Sequence, residues 1–376
     1  MASAEAHEAL RRRCRIVVSG HGDEAPGAEL ARIADWCRKQ GWHADRYGDG
    51  ALIGAFEAKV AALLGKPAAV FMPSGTMAQQ IALRIACDRA GNSRIAMHPT
   101  SHLELHEERG YARLHSLRAS LLGERVRPTS ARDLAALVET PAALLVELPA
   151  REIGGRLPPW PELCALSALA RERGVWRHMD GARLWEAREY YAPASHADVA
   201  AQFDSVYVSF YKGIGALAGA MLAGPEDFIA EARLWRRRHG GTLIQLHPLV
   251  ASSAMRLDGQ IARMPAYRSR ALAFAAALAA VDGLNVVPQP PQVNLFHLHV
   301  EAPADALTAA RDRIASEHGV WLANRFSTEL TPGIAGAEIY VGDALLAVPE
   351  SDDCALLAPL YGKLLALSGV AKAAAQ

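Results

Sequence analysis

Asp204-Ser205-Val206-Tyr207-Val208-Ser209-Phe210-Tyr211-Lys212-Gly213-Ile214-Gly215 is the stretch on which the fold is decided. Its first half is β-branched and aromatic, which predicts a buried strand. The strand delivers one lysine into a glycine-flanked turn, where a large planar ligand can reach the amine. In a dry pocket an ammonium loses part of its solvation, its pKa falls and the amine becomes nucleophilic. Alone, the pattern fits an ordinary surface lysine equally well.

Upstream lies Val175-Trp176-Arg177-His178-Met179-Asp180-Gly181-Ala182-Arg183. A helix is expected before it, from Pro161 to Arg173. The apolar strand then ends on Asp180, at the carboxyl edge where open α/β sheets bind ligands. A carboxylate there can keep the ring nitrogen of pyridoxal 5′-phosphate (PLP) protonated, so that the ring accepts electrons from a substrate carbanion. It can equally cap the next helix. Further upstream, Ala69-Val70-Phe71-Met72 runs into Pro73-Ser74-Gly75-Thr76 and then into a helix pattern with Ile81, Leu83 and Ile85. Backbone N–H groups and hydroxyls at a helix N-terminus suit a phosphate dianion. Ser-Gly-Thr alone also reads as a plain cap. The order of phosphate turn, then Asp, then Lys carries more weight than any one piece.

On these residues the chain resembles the threonine aldolase and β-eliminating lyase family of fold-type-I PLP-dependent enzymes. Ser74-Gly75-Thr76-Met77-Ala78, Asp180-Gly181-Ala182-Arg183-Leu184-Trp185 and Asp204-Ser205 through Lys212-Gly213-Ile214-Gly215 carry the resemblance. Arg46-Tyr47-Gly48-Asp49, Gly154-Gly155-Arg156-Leu157-Pro158 and Arg236-Arg237-Arg238-His239-Gly240-Gly241 add weaker matches. The alignable pattern runs from Ser19 to Asp343. The resemblance implies an α/β fold of the PLP-dependent transferase type: a large, mostly parallel sheet domain with a smaller α+β C-terminal domain. It implies PLP on Lys212, with Asp180 at the ring nitrogen, Ser74, Gly75 and Thr76 at the phosphate, and Arg183 near the ring. The activity implied is a lyase acting on an amino acid. It would either split a β-hydroxy-α-amino acid into glycine and an aldehyde or carry out β-elimination. A transaminase or racemase on the same fold, or a PLP-binding protein with weak catalysis, remain the alternatives. The resemblance further implies active sites at subunit interfaces, with the Tyr47-Gly48-Asp49 loop reaching into the neighbour, and so a homodimer or homotetramer.

His102 and His106 are four apart and invite a zinc reading. The metalloprotease pattern needs Glu directly after the first His, and Leu103 stands there, so no metal is expected. The resemblance instead stacks His102 on the PLP ring, a task suited to a flat group that titrates near neutrality. Other positions depart from the family. Its Ser-Asp-Thr becomes Ser19-Gly20-His21, leaving Ser19 as a candidate ligand for the substrate carboxylate. Its Glu-Asn-Thr-His becomes Glu147-Leu148-Pro149-Ala150, without the histidine. Gly240-Gly241-Thr242-Leu243-Ile244-Gln245 lacks an arginine of the family pattern, and Glu338 stands at or near a late-strand arginine. Arg183 and Arg325 are the candidate substitutes, since a guanidinium binds a carboxylate bidentately.

Composition agrees with a metabolic enzyme. The 376 residues are 51% hydrophobic and carry formal net charge +0, so nothing electrostatic points to nucleic acid or acidic membranes. Cys14, Cys37, Cys87, Cys164 and Cys354 are scattered, as expected of reduced thiols in a cytoplasmic protein. Arg11-Arg12-Arg13 has no apolar run behind it, so no signal peptide is expected. The apolar run from Ala271 to Val281 is too short to span a bilayer. Periodicity divides the chain into an N-terminal arm and helix (1–45, with Leu30, Ile33, Ala34 and Cys37 on one face), a PLP-binding domain (46–284) and a small C-terminal domain (285–376). The prolines between Val286 and Pro291 mark the second boundary.

Overall fold

A computed structural model describes residues 2–22, 24–329 and 331–369. Strands alternate with helices from residue 68 to 224 and build one seven-stranded sheet. Its strands are β1 (Ala68–Met72), β2 (Arg94–Met97), β3 (Arg118–Leu121), β4 (Ala143–Glu147), β5 (Trp176–Gly181), β6 (Ser205–Ser209) and β7 (Ala220–Gly224). In space they run β1-β7-β6-β5-β4-β2-β3. From β6 to β3 all neighbours are parallel, and β7 is antiparallel to both β6 and β1. The carboxyl ends of every strand but β7 therefore share one edge.

The sequence explains this arrangement. Val70-Phe71-Met72, Leu144-Leu145, Val206-Tyr207-Val208 and Met221-Leu222 are near-continuous apolar runs, all buried. Strands covered on both faces by helices read this way. β3 stands at the edge and is exposed at Arg118 and Leu121. The helix Gly75–Ala90 buries Ala78, Ile81, Ala82 and Ile85 against Val70, Met72 and Leu222. Aromatic side chains floor the turn that follows β6. Phe210 is fully buried, with ring centroids 5.0 Å from Phe56, 6.2 Å from Phe71 and 6.5 Å from Trp185.

The chain separates into two compact units. One comprises Ala25–Glu152 and Arg156–Ala262, and the other Met1–Glu24, Ile153–Gly155 and Arg263–Gln376. These limits differ from the expected 1–45, 46–284 and 285–376, for identifiable reasons. Ile16–Val17 pairs in parallel with Val320–Trp321, which ties the chain start to the C-terminal unit. The helix Pro26–Gln40 belongs to the sheet unit and buries only Ile33 of its expected apolar face; Leu30 is exposed. The helix His247–Ala279 runs through residue 262 without a break. The proline-rich segment lies inside the C-terminal unit, where it connects two paired strands, β8 (Leu284–Val287) and β9 (Leu295–Val300). With β10 (Ser327–Thr328) and β11 (Ala335–Tyr340) these form an antiparallel sheet in the order β10-β11-β9-β8. β9 alternates as its sequence predicts: Leu298 and Val300 are buried, His297 and His299 half-buried. No helix among the described residues is long and apolar enough to cross a membrane.

Candidate active site

At the carboxyl edge of the large sheet, a narrow cleft gathers groups from five strand ends. Asp180 is central. It stands next to last in β5, opposite Glu147 on β4 and Tyr207 on β6. Only 2% of it is exposed. One carboxylate oxygen accepts the Ala182 N–H at 3.0 Å, and the other accepts the Gln79 side-chain amide. Burial pushes the Asp180 carboxyl above the usual range, against the pull of these two donors. Glu147 is pushed up to about 7, first by burial and then by the Asp180 charge. Its oxygens accept the Arg151 N–H at 3.0 Å and the His102 N–H at 3.4 Å.

His102 opens a short helix after β2. Its Nδ1 lies 3.1 Å from the Glu107 carboxylate, whose side chain is 3% exposed. This pairing holds the proton on Nδ1, leaves Nε2 as the basic nitrogen, and raises the imidazole pKa against the opposing effect of burial. Lys212 lies beyond the end of β6, just after the buried Phe210, with Nζ 5.2 Å from the centre of the Tyr211 ring. The turn there is tight. A Cβ on Gly213 would sit 2.3 Å from the Glu186 carboxylate.

The fourth wall is the start of the helix Gly75–Ala90. Ser74 is its N-cap, and its hydroxyl accepts the Met77 N–H at 3.3 Å. A Cβ on Gly75 would lie 2.0 Å from the Tyr207 hydroxyl, so only glycine lets this helix start approach so closely. The first-turn N–H groups of a helix have no partners within it and carry its positive end. They suit an anion.

PLP fits these residues. The helix start suits its phosphate, Lys212 its carbonyl carbon, and the flat His102 ring its face. The carboxylates give the clearest test. Asp180, Glu147 and Glu107 line one small cleft, and burial disfavours the charge on the first two. A protonated ring nitrogen hydrogen-bonded to Asp180 would offset that penalty.

The structure thus brings Lys212, Asp180, His102, Gly75, Thr76 and Arg183 to one cleft, with Ser74 capping its helix. Ser19 and Arg325 belong to the other unit. The Ser19 hydroxyl is engaged with the backbone of Tyr340, accepting its N–H at 2.8 Å and donating to its carbonyl at 3.2 Å. Arg325 is exposed. Gln79, Glu107, Glu147, Tyr207 and Tyr211 are cleft residues that the sequence analysis did not single out. Only Glu107 carried a local signal, as an acid five residues beyond the candidate histidine.

The raised Glu147 sets a pH dependence. A folded-state pKa near 7, against 4.5 for an unperturbed group, means the folded protein holds an extra proton between those values. Stability is then lost as pH rises through that window. In apoprotein, Glu147→Gln is expected to match wild type at acid pH and to exceed it in denaturant stability increasingly up to about pH 7, with a constant gap above. A gap that does not change with pH would show that Glu147 is ionised throughout.

Comparison with known proteins agrees with this geometry. The family model described as beta-eliminating lyase matches residues 39–303. A probable low-specificity L-threonine aldolase of Arabidopsis thaliana is 28% identical over 270 residues, covering 69% of this chain and 75% of that protein. A low specificity L-threonine aldolase of Escherichia coli is 30% identical over 226 residues, covering 58% of this chain and 67% of that protein. The crystal structure of a putative L-allo-threonine aldolase from Listeria monocytogenes superposes with a TM-score of 0.89 at 39% identity, covering 96% of this chain and 99% of that one. This chain belongs to the beta-eliminating lyase family and is a PLP-dependent lyase of fold type I.

Proposed function

We propose that the protein splits a β-hydroxy-α-amino acid between Cα and Cβ, releasing glycine and an aldehyde. The observation that carries this reading is the His102–Glu107 pair in the same cleft as Asp180 and Lys212. A histidine held by a carboxylate in that cleft supports a base for the retro-aldol step. The identity to the Listeria protein, over nearly the whole of both chains, supports the same substrate class.

Bound PLP supplies a ring that takes up the electron pair left on Cα when a bond there breaks. Lys212 would provide the amine that holds the cofactor. Asp180 keeps a proton on the ring nitrogen, which matters most when negative charge develops on the substrate. His102 Nε2 takes the proton of the β-hydroxyl as the Cα–Cβ bond opens, and the oxygen's electron pair becomes the carbonyl of the aldehyde. Glu107 holds His102 in the tautomer this requires. Arg183, three residues beyond Asp180 and lining the cleft, is the first candidate for the substrate carboxylate.

The subunit arrangement belongs to the same proposal. Asp45 accepts the Leu246 N–H at 2.9 Å, the His247 N–H at 2.8 Å and the Gly48 N–H at 3.1 Å. These bonds pin the Tyr47-Gly48-Asp49 turn to the head of a helix. Tyr47, at φ 53°, is held outward and 55% exposed, beside exposed Leu243 and Ile244. A second copy of the chain covering this turn would explain its exposure.

Product analysis tests the reaction. Holoenzyme given L-threonine, L-allo-threonine and aryl β-hydroxy amino acids in turn should release glycine and the matching aldehyde from at least one. A keto acid with transfer of the amino group to PLP would overturn the aldolase reading. Sedimentation of the holoenzyme should give a dimer or a tetramer, and a fully active monomer at assay concentration would refute the shared assembly.

A further inference from the structure

Behind Asp180 runs a line of buried polar side chains. The Gln79 amide nitrogen meets the Asp180 carboxylate. The Gln79 carbonyl oxygen lies 2.9 Å from His178 Nε2, and His178 Nδ1 lies 2.8 Å from the Ser205 hydroxyl. Ser205 in turn is 2.8 Å from the indole N–H of Trp176. Gln79 is 2% exposed, and His178 and Ser205 are 0% exposed. Strands β5 and β6 and the helix that starts at Gly75 contribute one or two members each.

The line has a direction. Indole nitrogen can only donate, so Trp176 occupies a lone pair of Ser205. Ser205 keeps its own proton and a second lone pair, so it can meet either form of His178 Nδ1. Burial pushes the His178 pKa down to about 3, so the ring is neutral and carries one proton. The other end of the line places that proton: Gln79 gives its NH₂ to Asp180 and turns its carbonyl to His178 Nε2, so Nε2 donates and Nδ1 accepts from Ser205. Every bond is donor to acceptor, and the last acceptor is the carboxylate.

We propose that Gln79, aimed by His178 and Ser205, is a positioning residue for the reaction: it keeps Asp180 anionic, so that the shared proton stays on the cofactor ring nitrogen. Burial alone favours a neutral Asp180. A donated N–H favours the charged form. Were the His178 tautomer reversed, Gln79 would present its carbonyl to the carboxylate, acceptor against acceptor, and the proton would move from the ring to Asp180. The inference rests on PLP binding but not on which amino acid is cleaved.

The test uses holoenzyme reconstituted with PLP isotopically labelled at the ring nitrogen, whose NMR resonance reports protonation directly. Two variants are compared with wild type. Gln79→Met keeps volume and removes the donor, while Ser205→Ala removes the hydrogen-bond partner of His178 Nδ1 and leaves Gln79 and Asp180 in place. Wild type should show a protonated ring nitrogen. Gln79→Met should shift the partition of the proton toward Asp180 by about ten- to a hundred-fold, the worth of a hydrogen bond to a charged group. Its kcat should fall by a similar factor, with far less change in KM. Ser205→Ala should shift the resonance the same way by less, and it stands as the test if Gln79→Met does not fold. An unchanged ring-nitrogen resonance in the folded variants overturns the proposal. Wild-type protein that takes up no PLP overturns both this proposal and the cofactor assignment. A normal ring-nitrogen response with no cleavage of any amino acid overturns only the reaction assigned above.

Discussion

A carboxylate buried at the end of a central strand organises this structure. Asp180 sits where water cannot solvate its charge, and an isolated ionised group in such a place would cost several kcal/mol. The fold answers with the Ala182 N–H on one oxygen and the Gln79 amide on the other. It also places Glu147 opposite in the sheet, which makes a second charge harder to hold. The apoprotein therefore carries an electrostatic tension that a bound cation relieves. A protonated pyridine ring is such a cation, and the strand order aims Asp180 at the cleft where one would lie.

The rest of the sheet serves the same edge. Because β7 runs antiparallel between β1 and β6, those two strands point the same way, and the turns that follow them bring Gly75 and Lys212 to one side. The close approaches there are steric requirements. Gly75 admits the Tyr207 hydroxyl, Gly213 admits Glu186, and Phe210 fills the space beneath the lysine turn.

Part of this was legible in the sequence because it is local. Lys212, Asp180 and Ser74-Gly75-Thr76 each stand where an apolar strand meets a turn, and the order of the three motifs indicates the fold. Glu147 became a site residue only because β4 lies beside β5, a fact of strand order that no window of residues encodes. Gln79 looks like any polar position on an amphipathic helix until the helix is set against β5. The compact units differ from the expected limits for a similar reason. Pro288, Pro290 and Pro291 read as a boundary, and they occupy the connection between two antiparallel strands. The pairing of Ile16–Val17 with Val320–Trp321 spans most of the chain and leaves no local trace. Ser19 matched a family position, and its hydroxyl is bonded to the Tyr340 backbone.

The attachment of the cofactor is the most direct measurement. PLP-loaded protein would be reduced with borohydride, digested and analysed by mass spectrometry. The pyridoxyl group is expected on Lys212. Its appearance instead on Lys39, Lys59, Lys66, Lys363 or Lys372, or on no lysine after incubation with PLP, would contradict the account.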